Sequence, residues 1–330
     1  MRPRKIPPSR KTPHWKWRTR RMDMTLCIAA VCDDAEGKEA KIVLCSDLER
    51  QVEGVGASET EDKLGLVRPG WPTLIAGTIA KANDLVEVYA EWLADNFGEI
   101  TEFNLKDKLR LPAHIQKERL TDEYLRQTYS FDHKYFSGRG KKVLPESFIS
   151  TTLDDIARIK LDASLIIAGF IEQSDFYSGG KDKEPFLAVI DEYTDVRGSQ
   201  EYVRLEYDFA AIGTGSYTAL SSLYRRKQES QNSLARTLYN VYEANRLSEE
   251  VPGVGKELLS IDVLHVDGKM ESMTDAGYNY FRGLYEKKYG PREIKEKDKL
   301  EVLSEFLEPF DAPSSDSKPP ESDSSQSSKF

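Results

Sequence analysis

The sequence predicts an α+β protein arranged as a four-layer αββα sandwich, with two stacked, mostly antiparallel sheets covered by helices. Three observations predict it. Short strand-like runs fall in two sets, from Thr25 to Ala76 and from Ser164 to Ile212, each punctuated by turn residues. Each set is followed by segments whose apolar residues recur at helical spacing. One further strand-like run, Ile261–Val266, follows the second helical set. The chain has 330 residues, enough for one large domain or two small ones and for a sizeable buried core.

Residues 1–24 come first and differ from the rest. Residues 1–21 hold nine Lys/Arg, four prolines, Trp15 and Trp17, with no acid and no apolar period. Three readings stay open: a start codon placed upstream of the true Met24 or Met22, a removed propeptide or Arg-rich targeting segment, or a retained basic arm. The segment lacks the apolar stretch of a secretory signal.

From Thr25 the pattern becomes β. Thr25–Val31 and Lys41–Ser46 flank a polar turn at 33–38, which reads as a hairpin. Lys63–Val67 and Thr73–Ala76 flank Arg68-Pro69-Gly70-Trp71-Pro72, a second turn. The period then changes. Leu85, Val88, Tyr89, Trp92 and Leu93 share one helical face. A polar, charged insertion near 101–147 is expected to be partly helical, with a Gly/Lys/Arg loop at Ser137–Lys142. A helix near 148–160 leads into the strand Ser164–Phe170, with further strands at 186–190 and 206–212. One helix follows Gly213-Thr214-Gly215-Ser216, and a second carries Leu234, Leu238, Val241 and Tyr242. The main domain spans 25–270 and a helical extension 271–310, with helices near 273–287 and 291–308. Residues 311–330, rich in Ser, Pro and Asp, are expected to be disordered.

Composition narrows the function classes. The net charge is −9, and because residues 1–21 carry nine positive charges the remainder carries −18. That argues against nonspecific nucleic-acid binding by the folded body. No apolar stretch reaches membrane-spanning length. Cys27, Cys32 and Cys45 are too few, and odd in number, for a disulfide framework, which fits a reducing, cytoplasmic setting. His14, His114, His133 and His265 form no cluster, and no Cys/His spacing suggests zinc. No metal or cofactor is expected. A phosphate-cradling Gly-rich loop is missing too, so any ATPase serving this protein is a separate chain.

The candidate chemistry lies at strand ends. Thr25 opens the first strand and Asp47 closes the second. Lys63 follows Asp47 by sixteen residues, and Gly77 follows Lys63 by fourteen. A threonine hydroxyl is a weak nucleophile that needs a base. When threonine is the first residue its own α-amine, titrating near pH ~8, serves as that base. A nearby lysine lowers the amine's proton affinity and steadies the forming alkoxide, and a carboxylate holds that lysine in place. A backbone N–H at glycine receives the oxyanion. Thr25, Asp47, Lys63 and Gly77 supply these four parts. Cys27 is an alternative nucleophile only if it becomes the first residue. Otherwise it is a small apolar strand residue.

In these residues the chain resembles the proteasome β-type family of threonine hydrolases with an N-terminal nucleophile, including its bacterial HslV-like and Anbu-like members. The matches are Thr25, Ser46-Asp47, Lys63 and Ala76-Gly77, then Leu165–Gly169, the Gly213-Thr214-Gly215-Ser216 turn and Ile261–Val266. They cover roughly residues 25–270. The resemblance implies the αββα fold and threonine-dependent cleavage of peptide bonds in peptides or unfolded proteins. It also implies assembly with copies of itself in a ring or helical oligomer, Ile75 lining the substrate pocket, and Thr214, in the place of the family's turn serine, offering a hydroxyl to the Thr25 amine. There are departures. The Thr-to-Asp spacing is some six residues longer than the family's, which the polar turn accommodates. The Asp-x-x-Ser-Gly motif that supports the amine in classical members is replaced by Val251-Pro252-Gly253-Val254-Gly255, closer to the Anbu-type branch. Met24, not glycine, precedes Thr25. Two alternatives therefore stand beside the peptidase: a proteasome-like scaffold without chemistry, and a hydrolase of non-peptide amides.

Overall fold

A computed structural model describes residues 25–33, 39–47, 49–51, 58–60, 63–172, 183–194, 200–252, 254–255, 259–286 and 306–310. The basic extension 1–24, the turn residues 34–38, most of the helix expected at 291–308 and the tail 311–330 lie outside them.

In chain order the first strands are β1 (Leu26–Asp33), β2 (Ala40–Asp47), β3 (Glu49–Gln51), β4 (Ser58–Thr60), β5 (Leu64–Arg68) and β6 (Trp71–Gly77). Helices α1 (Ile79–Asn96), α2 (Leu105–Tyr129), α3 (His133–Tyr135), α4 (Lys141–Val143) and α5 (Glu146–Arg158) follow. Next come β7 (Ala163–Glu172), β8 (Lys183–Thr194), β9 (Gln200–Glu206) and β10 (Phe209–Gly213), then α6 (Ser216–Arg225) and α7 (Leu234–Ser248). The described chain closes with β11 (Leu259–Leu264), β12 (Met270–Met273), α8 (Asp275–Glu286) and β13 (Leu307–Pro309). Two large antiparallel sheets result. One has the order β10-β1-β2-β11-β12-β13, the other β5-β6-β7-β8-β9, and β3-β4 form a separate pair.

The continuous apolar runs of β1 and β7 arise because both faces of each strand are buried. Leu26, Ile28, Ala30 and Cys32 pack with residues of α6, α7 and α8, while Cys27, Ala29 and Val31 face a cluster shared with the other sheet. In β7, Ile166, Ala168 and Phe170 join that shared cluster, while Leu165 and Ile167 pack with α1 and α2. The predicted face of α1 buries Leu85, Val88, Tyr89 and Leu93, and the Tyr89 hydroxyl donates to the Leu109 carbonyl of α2 at 2.6 Å. The protein is thus α+β with two antiparallel sheets and helices packed on them.

Three expectations are corrected. The strand expected at 206–212 starts only at Phe209, because Glu206 ends β9 in the other sheet. β9 pairs with β8 and β10 with β1, and Tyr207–Asp208 make the turn between them. Asp208 anchors that turn: its carbonyl accepts from the Val31 amide and its carboxylate from the Ser230 amide, both at 2.8 Å. The loop expected at Ser137–Lys142 is helical, with a wide π turn at Phe136–Gly140 running into α4. Asp132 caps the segment by accepting from the Tyr135 amide at 2.7 Å. Stacked Phe131 and Phe136 rings, 5.9 Å apart, tie it to the end of α2, where Phe131 also stacks on Tyr129. Finally, Leu307–Pro309 is not the end of a helix but an edge strand against β12. Proline suits that place because an edge residue can lack a ladder donor.

Candidate active site

Thr25 immediately precedes β1 and Asp47 ends β2, the antiparallel neighbour of β1, so the pairing Cys27↔Ser46 brings their side chains together. The Thr25 hydroxyl donates to Asp47 Oδ1 at 2.7 Å. Lys63, just before β5, forms an ion pair with the same carboxylate oxygen. All three are buried, at 3%, 0% and 6% exposure respectively. The Gly255 amide donates to Asp47 Oδ2 at 2.9 Å. Asp47 thus takes a charged donor and a hydroxyl on one oxygen and a backbone N–H on the other. That satisfaction is what permits a carboxylate to be buried.

Of the remaining predicted residues, Ile75 is bonded to this trio. Ile75, in β6, donates its amide to the Lys63 carbonyl at 3.0 Å, and its carbonyl accepts from the Cys27 thiol at 3.3 Å. It therefore ties the second sheet to Lys63 and to β1. Gly77 ends β6 two residues further on. Its φ is +103°, and a Cβ there would come within 2.8 Å of the Asp162 carbonyl oxygen. Glycine is needed at this position by its own backbone. Asp162 in turn accepts from the Thr78 amide at 3.1 Å and pairs with Lys81 at 2.6 Å. Thr214 is exposed in the turn after Gly213.

Gly213 decides how tightly that turn approaches Thr25. It pairs with Leu26, has φ +91°, and a Cβ on it would sit 2.1 Å from the Thr25 carbonyl oxygen. Gly213→Ala is expected to cost about 3 kcal/mol through the clash and the left-handed backbone. A denaturant midpoint unchanged from the parent protein would show that the turn yields freely.

Cys27 lies on the floor of the site. Burial, then the Asp47 charge, push its thiol from 9.0 up to about 12, against the smaller opposing pull of Lys63. It therefore stays protonated and is unsuited to be a nucleophile at neutral pH. Because the folded thiol holds its proton above the unfolded value, its contribution is complete below pH ~9 and falls as pH rises toward 12. The folded protein at pH 8 should leave Cys27 unalkylated by iodoacetamide, whereas unfolding in guanidinium should expose it. Mass spectrometry of the Cys27 peptide reads both, and rapid labelling of the folded chain would refute the burial.

Two contributors carry no signal a sequence reading catches. Gly255 acts through its backbone amide, which has no side-chain signature, and lies in the Val251–Gly255 segment read only as a departure. Asp162 acts through its carbonyl, against Gly77.

No family model matches the chain, and no curated protein matches it.

Proposed function

We propose that this chain is a threonine amidohydrolase whose nucleophile is Thr25, a self-assembling proteasome-like subunit with the four-layer αββα fold of N-terminal-nucleophile hydrolases. One observation carries the reading: Thr25, Asp47 and Lys63 form a buried, hydrogen-bonded trio at the ends of adjacent strands. The clusters on the two outer sheet faces and the one between the sheets support the fold. In this reading the protein works in the cytoplasm on peptides or unfolded proteins, fed by a separate ATPase where one is needed.

The chemistry requires that residues 1–24 be removed. While Met24 is attached, the Thr25 nitrogen is an amide and accepts no proton. Once freed, the amine takes the Oγ proton as Oγ attacks the substrate carbonyl. The Lys63 ammonium, held by Asp47, stabilises the alkoxide, and the Gly77 N–H receives the oxyanion. Collapse expels the amine product, protonated by the Thr25 ammonium, and leaves an ester on Oγ that water hydrolyses. Thr214 orients the amine, and Ile75 gives the pocket an apolar wall.

The competing reading is a scaffold without chemistry. The burial of Thr25 and the engagement of its hydroxyl by Asp47 favour it. Intact mass of the protein purified from its native gene separates the two. A mass starting at Thr25 supports the hydrolase, and activity on peptide and non-peptide amides then sorts the substrate. A mature chain that keeps Met24 or residues 1–24 overturns it.

A further inference from the structure

The insertion between α1 and α5 carries two surfaces that the Thr25 site does not use. The first is a basic tip. Residues 133–145 hold Lys134, Arg139, Lys141 and Lys142 with no acid, in a folded body that is otherwise strongly acidic. All four are exposed, and among the described residues none has an ion-pair partner. The tip is held rigidly. Tyr129, Phe131, Phe136 and Phe148 stack beneath it, with Tyr129 and Phe148 rings 5.1 Å apart. Val143 stands 59% exposed at its end.

The second surface is a cleft of about 180 Å³ between α1 and α2, lined by Asp84, Glu87, Gln116, Arg119 and Glu123 among others. Its one cation, Arg119, is drawn to Glu91 at 3.3 Å, which leaves the cleft acidic. Gln116 is 5% exposed and lines the cleft, and its carboxamide has no hydrogen-bond partner among the described residues. The amide oxygen offers an acceptor to an incoming donor. Three carboxylates and one amide oxygen suit a lysine ammonium or an arginine guanidinium.

Tip and cleft do not pair within one chain. The foot of the tip lies against α2, where the His133 amide donates to Asp122 at 2.7 Å, yet none of the four tip cations has an ion-pair partner among the described residues. We propose that the basic tip of one copy docks into the α1–α2 cleft of a second copy. The two surfaces are different, so the contact is heterologous, and repeating it closes a ring or extends a filament. The inference rests on the self-assembly part of the proposed function and is independent of its catalytic part.

The test is sedimentation velocity of the full chain across concentration, at low and high salt. Three variants are compared: Arg139→Glu/Lys141→Glu/Lys142→Glu, Asp84→Lys/Glu87→Lys, and the two sets combined. All changed side chains are exposed, and circular dichroism checks the fold. Each set alone is expected to weaken self-association about 100-fold, and the combined charge swap to restore it. Assembly that survives both single sets overturns this interface and leaves self-assembly standing. A parent protein that is monomeric throughout overturns both. A monomer whose tip variant loses binding to an oligonucleotide overturns the proposal in favour of a nucleic-acid partner. Thr25→Ala should assemble like the parent, which keeps this result apart from the fate of the hydrolase reading.

Discussion

Lys63→Ala is expected to destabilise the protein by about 3–5 kcal/mol, the cost of leaving a buried carboxylate without its counter-ion. Asp47 is fully buried, and only two neutral donors would remain to it: the Thr25 hydroxyl at 2.7 Å and the Gly255 amide at 2.9 Å. The Lys63 carbonyl still receives the Ile75 amide after the change, so the junction between β1, β2 and β6 stays closed over the stranded carboxylate. For a domain of this size the melting temperature should fall by roughly 10 °C. The diagnostic step is the double variant. Adding Asp47→Asn removes the stranded charge, so Lys63→Ala/Asp47→Asn should recover much of the loss despite carrying one more substitution. Additive losses would mean that Lys63 matters by packing and that the ion pair contributes nothing.

The parts of this picture that could be read in the sequence are those in which side-chain type and spacing carry the information. A strand buried on both faces must be apolar almost throughout, so the runs Thr25–Val31 and Ser164–Phe170 are legible. A helix covering a sheet must repeat its apolar residues, so the α1 face was visible from Leu85 to Leu93. Thr25, Asp47 and Lys63 could be singled out as an ordered set at strand ends, with a spacing that resembles a known family of threonine hydrolases, although each is a weak signal alone. The structure brings these three into direct contact.

Other features depend on partners distant in sequence. Nothing local separates β9 from β10, since the run through Tyr207 stays rich in β-forming residues. The break is set by Asp208 bonding to Val31 and Ser230. The segment from Phe136 to Val143 looks like a loop because Gly138 and Gly140 are poor helix formers. Stacking of Phe136 on Phe131, itself packed between Tyr129 of α2 and Phe148 of α5, overrides that propensity. Gly77 was read for the oxyanion, but its geometry adds a requirement that no spacing reveals, the close approach of the Asp162 carbonyl.

Thr25→Ala in the chain that starts at residue 25 is expected to lower amide hydrolysis by at least ~10⁴-fold, because no other group takes over the covalent step. The stability cost is smaller, about 2 kcal/mol, since Asp47 loses one hydrogen bond but keeps Lys63 and Gly255. The two readouts therefore separate in a way that Lys63→Ala cannot achieve, because that change damages stability and chemistry together. Thr25→Ser is the matching control. It keeps the hydroxyl that donates to Asp47 and should retain most of the stability and measurable activity. A chain that keeps residues 1–24 should be as silent as Thr25→Ala while matching the parent in stability, because its hydroxyl is in place and only the free amine is missing. Hydrolysis that persists in Thr25→Ala, measured on the same fluorogenic amide, would move the chemistry away from this site and leave the trio as a structural buried ion pair.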